Sequence, residues 1–341
     1  MSVEIKKIKR IFESFNKLNI LIVGDSILDA YMWGDVDRIS PEAPIPVVSV
    51  NKKENRLGGA ANVTLNIKAL GANPILCSVL GGDDKQAIFA RQMADNNLEI
   101  SGLIIDNNRK TTVKTRIFGH NQQLLRIDEE ILERISKKTE KELINRIKSI
   151  ISKTVIDAVI IADYDKGVVT PALIREVAEM ANSKNIPVAA DPKIKNFNQY
   201  KNINLFKPNL KELAEGLKTE LVKGDFENIK ATAKLHRESK NIRYILVTLS
   251  EQGVLLGSEE TNEVISAEAH QVSDVSGAGD TVISVASACM AANVPPLDMA
   301  IIANLAGSLV CEKVGVSPLD KEQLLSETCN IYSKIRKAKT V

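Results

Sequence analysis

With 341 residues, 44% of them hydrophobic and 26% charged, the chain has an ordinary globular balance and enough length for one large α/β domain. Its 45 basic and 43 acidic residues leave a formal charge of +2, which gives no electrostatic reason to expect nucleic acid or an anionic membrane as partner. Four scattered cysteines without a CxxC pair, and only three histidines, argue against structural zinc and for free thiols in a reducing cytoplasm.

The first residues are charged and lack the apolar core of a signal peptide, and no apolar run approaches the roughly 20 residues that span a bilayer. A cytosolic protein is therefore expected. Ile5, Ile8, Phe12 and Phe15 recur at helical spacing, so the first twenty residues predict an amphipathic helix. Residues 19–23 read as a buried strand ended by Gly24-Asp25, and the carboxyl ends of such strands are where open α/β sheets hold ligands. Asp25 and Asp29 are accordingly either hydrogen-bonding partners for a polar ligand such as a sugar, or turn and cap residues.

Residues 31–55 break the pattern. Ser40-Pro-Glu-Ala-Pro-Ile-Pro46 is too rich in proline for a helix, and the short β-branched run after it suggests an edge strand or a small excursion outside the main sheet. Gly58, Gly59 and Asn62 lead into a helix expected over 63–70, where small residues let a ligand approach the backbone and Asn62 offers a donor and an acceptor. A strand over 74–80 and a helix over 84–97 follow. Residues 111–127 form a second β-rich patch, able to pair with 31–55 as a small accessory sheet. Arg116, Gln122, Gln123 and Arg126 on it either bind phosphate or hydroxyls, or are solvated edge-strand charge. Residues 128–153 predict a surface helix.

From there strands and helices alternate: strands near 158–162, 188–190, 205 and 244–248, helices over 171–184, 210–216 and 227–238. Such alternation predicts a parallel sheet with helices on both faces. Its strand ends carry Asp163 with Lys166 and Gly167, then Asp191-Pro-Lys193, Lys207-Pro-Asn-Leu-Lys-Glu212, and Thr248-Leu-Ser-Glu-Gln-Gly253. Four polar loops at one sheet edge would make a polar cleft.

Asp274-Val-Ser-Gly-Ala-Gly-Asp280-Thr281 runs into the apolar segment 282–294, so a glycine-rich loop is expected to end at a helix N-terminus. The free N–H groups and the positive end of the dipole there favour an anion. Asp280 then has two readings: a general base that takes a hydroxyl proton while the loop stabilises a transferring phosphoryl group, or a simple helix cap. No GxxxxGK[ST], third glycine of GxGxxG, GxSxG or HExxH is present, which sets aside P-loop, Rossmann, serine-hydrolase and zinc-peptidase chemistry. Phosphoryl transfer to a hydroxyl remains.

Gly58-Gly59 with Asn62, and above all Asp274 to Thr281, resemble the two signatures of the ribokinase-like (PfkB) carbohydrate kinases. Gly24-Asp-Ser-Ile-Leu-Asp29, the stretch 34–48 containing Arg38-Ile-Ser-Pro-Glu-Ala-Pro44, Asn121-Gln-Gln-Leu-Leu-Arg126, Asp163-Tyr-Asp-Lys-Gly167 and Asp191-Pro-Lys193 resemble, more narrowly, the heptose 7-phosphate kinases of lipopolysaccharide core synthesis. The resemblance covers about 19–318. It implies an α/β ribokinase-like fold, one domain over 1–341 with a mostly parallel central sheet, helices on both faces and a small β-sheet lid near 31–55 and 111–127.

It also implies roles. Asp280 would be the catalytic base, with Ser276, Gly277, Ala278 and Gly279 as the anion hole. Asn209 and Glu212 would support Mg²⁺ indirectly and, with Thr248, Ser250, Gly253 and Asn304, the nucleotide. Asp29, Gly58, Gly59, Asn62, Arg116, Arg126, Asp163, Lys166 and Lys193 would face the sugar phosphate. ATP and Mg²⁺ are the implied cofactors, with a monovalent cation left open. A homodimer is expected from the two β-rich stretches, whose apolar positions need cover; the resemblance implies a separate nucleotidyltransferase, because the HxGH domain fused in many relatives is not in this sequence. Ser276 stands where the signature usually has threonine, which keeps a hydroxyl. The alternatives are a kinase of another sugar, or a sugar- and nucleotide-binding protein without turnover.

Overall fold

The computed structural model describes residues 3–120, 122–267, 274–312 and 315–339; Asn121 of the quoted motifs lies outside them. The chain runs α1 (Val3–Ser14), β1 (Asn19–Gly24), β2 (Ser26–Ile39), β3 (Pro46–Gly59), α2 (Ala60–Ala69), β4 (Asn73–Gly81), α3 (Asp84–Asp95), β5 (Leu103–Asp106), β6 (Val113–Gly119) and β7 (Gln122–Glu129). It continues through α4 (Lys137–Lys153), β8 (Ala158–Ala162), α5 (Pro171–Asn182), β9 (Val188–Asp191), β10 (Leu205–Phe206), α6 (Leu210–Leu217), α7 (Phe226–Ser239) and β11 (Tyr244–Thr248). Last come β12 (Val254–Gly257), β13 (Asn262–Ile265), α8 (Ala278–Ala291), α9 (Pro296–Val310) and α10 (Lys321–Lys339).

Nine strands form one sheet in the order β13-β12-β11-β10-β9-β8-β1-β4-β5. Pairing is parallel from β5 through β11, and β12 and β13 close the far edge as antiparallel strands. Side chains alternate between the two faces of a strand, so each strand supplies two cores. Ile20, Ile22 and Ile160 point into one, packed with α1, α2, α3, α8, α9 and α10; Leu21, Val23, Val159 and Ile161 point into the other, under α4, α5, α6 and α7. Four further strands form a second sheet, β3-β2-β6-β7, and Leu28, Leu57 and Val113 anchor it to the first of these cores.

Three expectations shift. Residues 31–55 lie outside the main sheet and pair with 111–127 as expected, but as no short strand: β2 and β3 are 14 residues each and pair along almost their whole length. The helix after Gly59 starts at Ala60, not at 63, which puts Asn62 in its first turn. The helix expected from 128 starts only at Lys137, because β7 continues to Glu129 and the Ser136 hydroxyl accepts the Thr139 N–H at 3.1 Å as an N-cap. Strands β5, β12 and β13 and helices α9 and α10 had no counterpart in the sequence reading.

Candidate active site

Strand order reverses at β1: the chain from β1 pairs onward to β4 on one side, while β8 flanks it on the other. A crevice outside the carboxyl ends of the two strands is the place where open α/β sheets bind ligands. Asp25 follows β1 and Asp163 follows β8. Both carboxylates turn inward. Asp25 is 1% exposed and accepts the N–H groups of Tyr164 (2.8 Å), Lys166 (3.3 Å) and Val168 (2.8 Å), which pins the loop after β8. Asp163 is fully buried, held by Asn196 Nδ2 and the Tyr200 hydroxyl at 3.0 Å each. Burial, then the neighbouring Asp25, push Asp163 up to about 7. Asp163 is therefore a correction to the expected sugar contacts: its carboxylate ties the loop to the protein interior.

What the pinned loop presents is Tyr164. Its hydroxyl donates to Oδ1 of Asp280 in the first turn of α8, and Asn62 Nδ2 donates to Oδ2 at 2.6 Å. Burial raises Asp280 to about 6; the bonds from Tyr164 and Asn62 oppose the rise, Asp191 adds to it, and Lys207 opposes it. A carboxylate poised there is ionised near neutral pH yet basic enough to take a hydroxyl proton.

The loop before α8 leaves only part of the expected anion hole open. Gly277 caps the helix at φ +83°, a conformation glycine adopts without strain, and a Cβ there would lie 3.1 Å from Asn62 Nδ2. The N–H of Ser276, however, donates to Asp274 Oδ1 at 2.9 Å, and that of Ala278 turns towards Val275 O at 3.3 Å. Gly277, Gly279 and Asp280 thus open the helix with the N–H groups best placed for a ligand, since a first turn has no partners within its own helix. Against burial, the N–H groups of Ser276 and Gly315 hold Asp274 below its ordinary range.

A chain of alternating charge faces this helix end. Lys207 lies 3.1 Å from Asp191, and its Nζ would be 3.4 Å from a Cβ on Gly279. Lys193 pairs with Glu212 and lies 3.9 Å from Asp191. Burial would lower Lys193, but Asp191 and Glu212 carry it above the ordinary lysine range. Asn209 and Glu212 form a capping box on α6: Asn209 Oδ1 accepts the Glu212 N–H at 2.8 Å and Glu212 Oε2 accepts the Asn209 N–H at 2.9 Å. Both carboxylate oxygens of Glu212 are thus engaged, one by Lys193 and the other by the Asn209 N–H.

Beside this, Thr248 ends β11, Ser250 (φ +56°) and Gly253 (φ +96°) shape the following turn, and Asn304 on α9 donates to Ser266 O at 2.9 Å, fastening the chain after β13. Tyr164, Asp191 and Lys207 were missed as site residues. Lys207 was legible only as a strand-end polar residue, Asp191 as that and as part of a quoted motif, and Tyr164 only as one letter of a motif.

On the other side of Asp280 stands the small sheet. Asp29, 4% exposed on β2, is ion-paired with Arg116 of β6, and a Cβ on Gly58 would strike its carboxylate. Gly59 ends β3 where α2 begins. Arg126 sits opposite Arg116 in the ladder but is exposed and bound to Asp128 (2.8 and 3.0 Å), and Lys166 is paired with Glu130 at 2.8 Å. Neither is a free cation aimed at the cleft, which corrects their expected place there. A separate cleft of about 620 Å³, lined by Asn202, Arg237, Arg243 and Tyr244, opens at the amino-terminal ends of β10 and β11 and contains none of these groups.

A buried carboxylate at an open helix end, flanked by lysines, is the arrangement of a phosphotransferase, and comparison with known proteins agrees. The pfkB family of carbohydrate kinases matches residues 17–323. The chain belongs to this family. The kinase is 40% identical over 317 residues to the bifunctional protein HldE of Campylobacter jejuni serotype O:2, and 35% identical over 323 residues to that of Geobacter sulfurreducens. These matches cover 92% and 94% of the kinase but only 66% and 65% of the relatives, so it spans less than two thirds of their length. Among solved structures, Escherichia coli phosphofructokinase-2 superposes with a TM-score of 0.75 at 18% identity, over 92% of the kinase and 99% of that chain. Ribokinase from Thermotoga maritima gives 0.67 at 17%, with the same coverages. The fold is ribokinase-like, and the enzyme is an ATP-dependent carbohydrate kinase. Among the described residues, no helix is long and apolar enough to cross a membrane.

Proposed function

We propose that the kinase transfers the γ-phosphoryl group of ATP to the 1-hydroxyl of D-glycero-D-manno-heptose 7-phosphate, giving the 1,7-bisphosphate used towards ADP-heptose and the lipopolysaccharide core. The observation that carries the phosphotransfer is Asp280, a buried carboxylate in the first turn of α8 between the Asp29–Asn62 side and the Lys193–Lys207 side. Asp29 and Asn62 would orient the sugar, and Asp280 would accept the proton of the attacking hydroxyl. The N–H groups of Gly277 and Gly279, with Lys207 and Lys193, would stabilise charge on the transferring group. The substrate itself rests on the resemblance of the 24–48 stretch to heptose kinases and on the likeness to the HldE proteins.

Mg²⁺ fits this site as a companion of the nucleotide. Among the described residues no cluster of acids and histidines makes a cage for a metal, and Mg²⁺ commonly keeps several waters while phosphates supply the remaining oxygens. Bound, it would neutralise charge on the β- and γ-phosphates. Asn209 and Glu212 would hold its hydration shell. A monovalent cation is a further proposal, motivated by a phosphofructokinase-2 structure in complex with potassium.

One observation favours a second reading within the same chemistry. Arg116, Arg126 and Lys166 are each neutralised by a carboxylate, so an unphosphorylated sugar is the competing acceptor. Comparing kcat/KM for heptose and heptose 7-phosphate separates the two. The expected result is a preference for the phosphate of about 10²-fold, the equivalent of about 3 kcal/mol from charge-assisted bonds. Equal values would leave the kinase without its proposed substrate.

The small sheet would act as a lid and as a dimer contact. Leu125 and Ile127 of β7 are 55% and 44% exposed, an apolar surface that a second copy would cover. The expected solution mass at micromolar concentration is that of two subunits, and Ile127→Asp should reduce it to one. A wild-type mass of one subunit would count against the dimer.

A further inference from the structure

Both oxygens of the Asp280 carboxylate are occupied, and one of the two donors lies outside the two pfkB signatures, in the Asp163–Gly167 stretch. Asn62 arrives from the first turn of α2 beside the glycine pair. Tyr164 arrives from the loop after β8, half-buried, and that loop is clamped by three N–H bonds to Asp25 at the end of β1. The clamp gives the phenol one address. Its backbone N–H is fixed at 2.8 Å to a carboxylate that is itself buried, and Lys193 Nζ lies 5.8 Å from its ring.

We propose that Tyr164 is a positioning residue for the base: its hydroxyl orients the Asp280 carboxylate and keeps it ionised until the acceptor hydroxyl binds. This rests on the reading of Asp280 as general base. A phenol is suited to the task because it donates one hydrogen bond and, beside an anion, holds its own proton: burial and then Asp280 raise Tyr164 well above the ordinary tyrosine range. The other charged groups facing the carboxylate are Asp191 at the end of β9, Lys207 after β10 and Lys193 after β9. Asp191 disfavours the ionised form, so a donor in direct contact has a stated electrostatic purpose.

The test is the pH profile of kcat/KM, which reports ionisations of the free enzyme. Tyr164→Phe removes one hydroxyl and keeps the ring. The acidic limb should move up by about one pH unit, the size expected when a carboxylate loses one net hydrogen bond. The KM for nucleotide should stay unchanged. Because both enzymes are assayed with the same substrates, substrate ionisations cancel from the difference. Site-specific replacement of Tyr164 alone by a fluorotyrosine, a more acidic phenol, should move the limb the opposite way. That arm remains decisive if Tyr164→Phe melts early. Profiles that overlay wild type, beside an inactive Asp280→Asn enzyme, would overturn the role of Tyr164 alone. An active Asp280→Asn enzyme would overturn the base reading and this inference with it.

Discussion

Asp280→Asn should lose turnover by about 10²–10⁴-fold, the range for removal of a general base, while the protein folds and binds nucleotide much as before. The amide can be satisfied in place. Its oxygen accepts from Asn62 Nδ2, and its NH₂ donates to the Tyr164 oxygen, since a hydroxyl serves in either direction. The same substitution should change the pH dependence of stability. In the folded protein Asp280 is raised from 3.8 to about 6, so the fold prefers the protonated form. The stability this contributes is complete below the unfolded value and is lost as pH rises through the folded one. Above about pH 7 wild type therefore carries a buried charge that costs up to about 3 kcal/mol. The asparagine enzyme should melt higher than wild type near pH 8 and about equally near pH 4. Melting curves at the two pH values, with kcat on the same preparations, check both halves. Turnover within about threefold of wild type would falsify the catalytic role, as it lies far short of the general-base range.

Asp29→Ala should lower kcat/KM for the sugar by about 10²–10³-fold, mostly through KM, because one or two charge-assisted bonds to hydroxyls disappear. The loss has a second component. Arg116 has only 17% of its side chain exposed and would be left without its counter-ion. Melting temperature should fall with activity, whereas KM for ATP should hold, since Asp29 lies on the small sheet away from the Lys193–Glu212 side. Arg126→Ala is the matched control. Arg126 is exposed and its ion pair with Asp128 spans two residues of one strand, so stability and kinetics should both stay near wild type. A sugar KM unchanged in Asp29→Ala would remove Asp29 from the binding site.

Much of this was written into the linear chain. Apolar runs flanked by Gly24, Asp163, Asp191 and Thr248 mark strands buried on both faces, because a parallel sheet covered by helices has no polar face to show. Glycines before an apolar helix and a carboxylate in its first turn mark Asp280, because that pattern is local and its chemistry depends on few residues. The capping box of Asn209 and Glu212 is local in the same sense, three residues apart.

Contacts across long separations were decided by tertiary structure alone. Tyr164 and Asp280 are 116 positions apart, and Asn62 and Asp280 are 218 apart; they meet because β1 and β8 are neighbours at the reversal of strand order and α2 packs on α8. No local pattern records that meeting. The same holds for charge. Lys166 and Arg126 look alike in sequence to Lys207, but their partners in space differ: Glu130 and Asp128 hold the first two outside the cleft, while Asp191 holds Lys207 beside the opening of α8. Asp163 looked like a ligand and is a buried tie, because burial is a property of the assembled layers. The sequence by itself determined the α/β architecture and the family and marked Asp280 as the candidate base, since each rests on short-range pattern. Which donors hold that carboxylate, and which cations stand beside the opening of α8, depended on packing between segments that the chain brings together only when it folds.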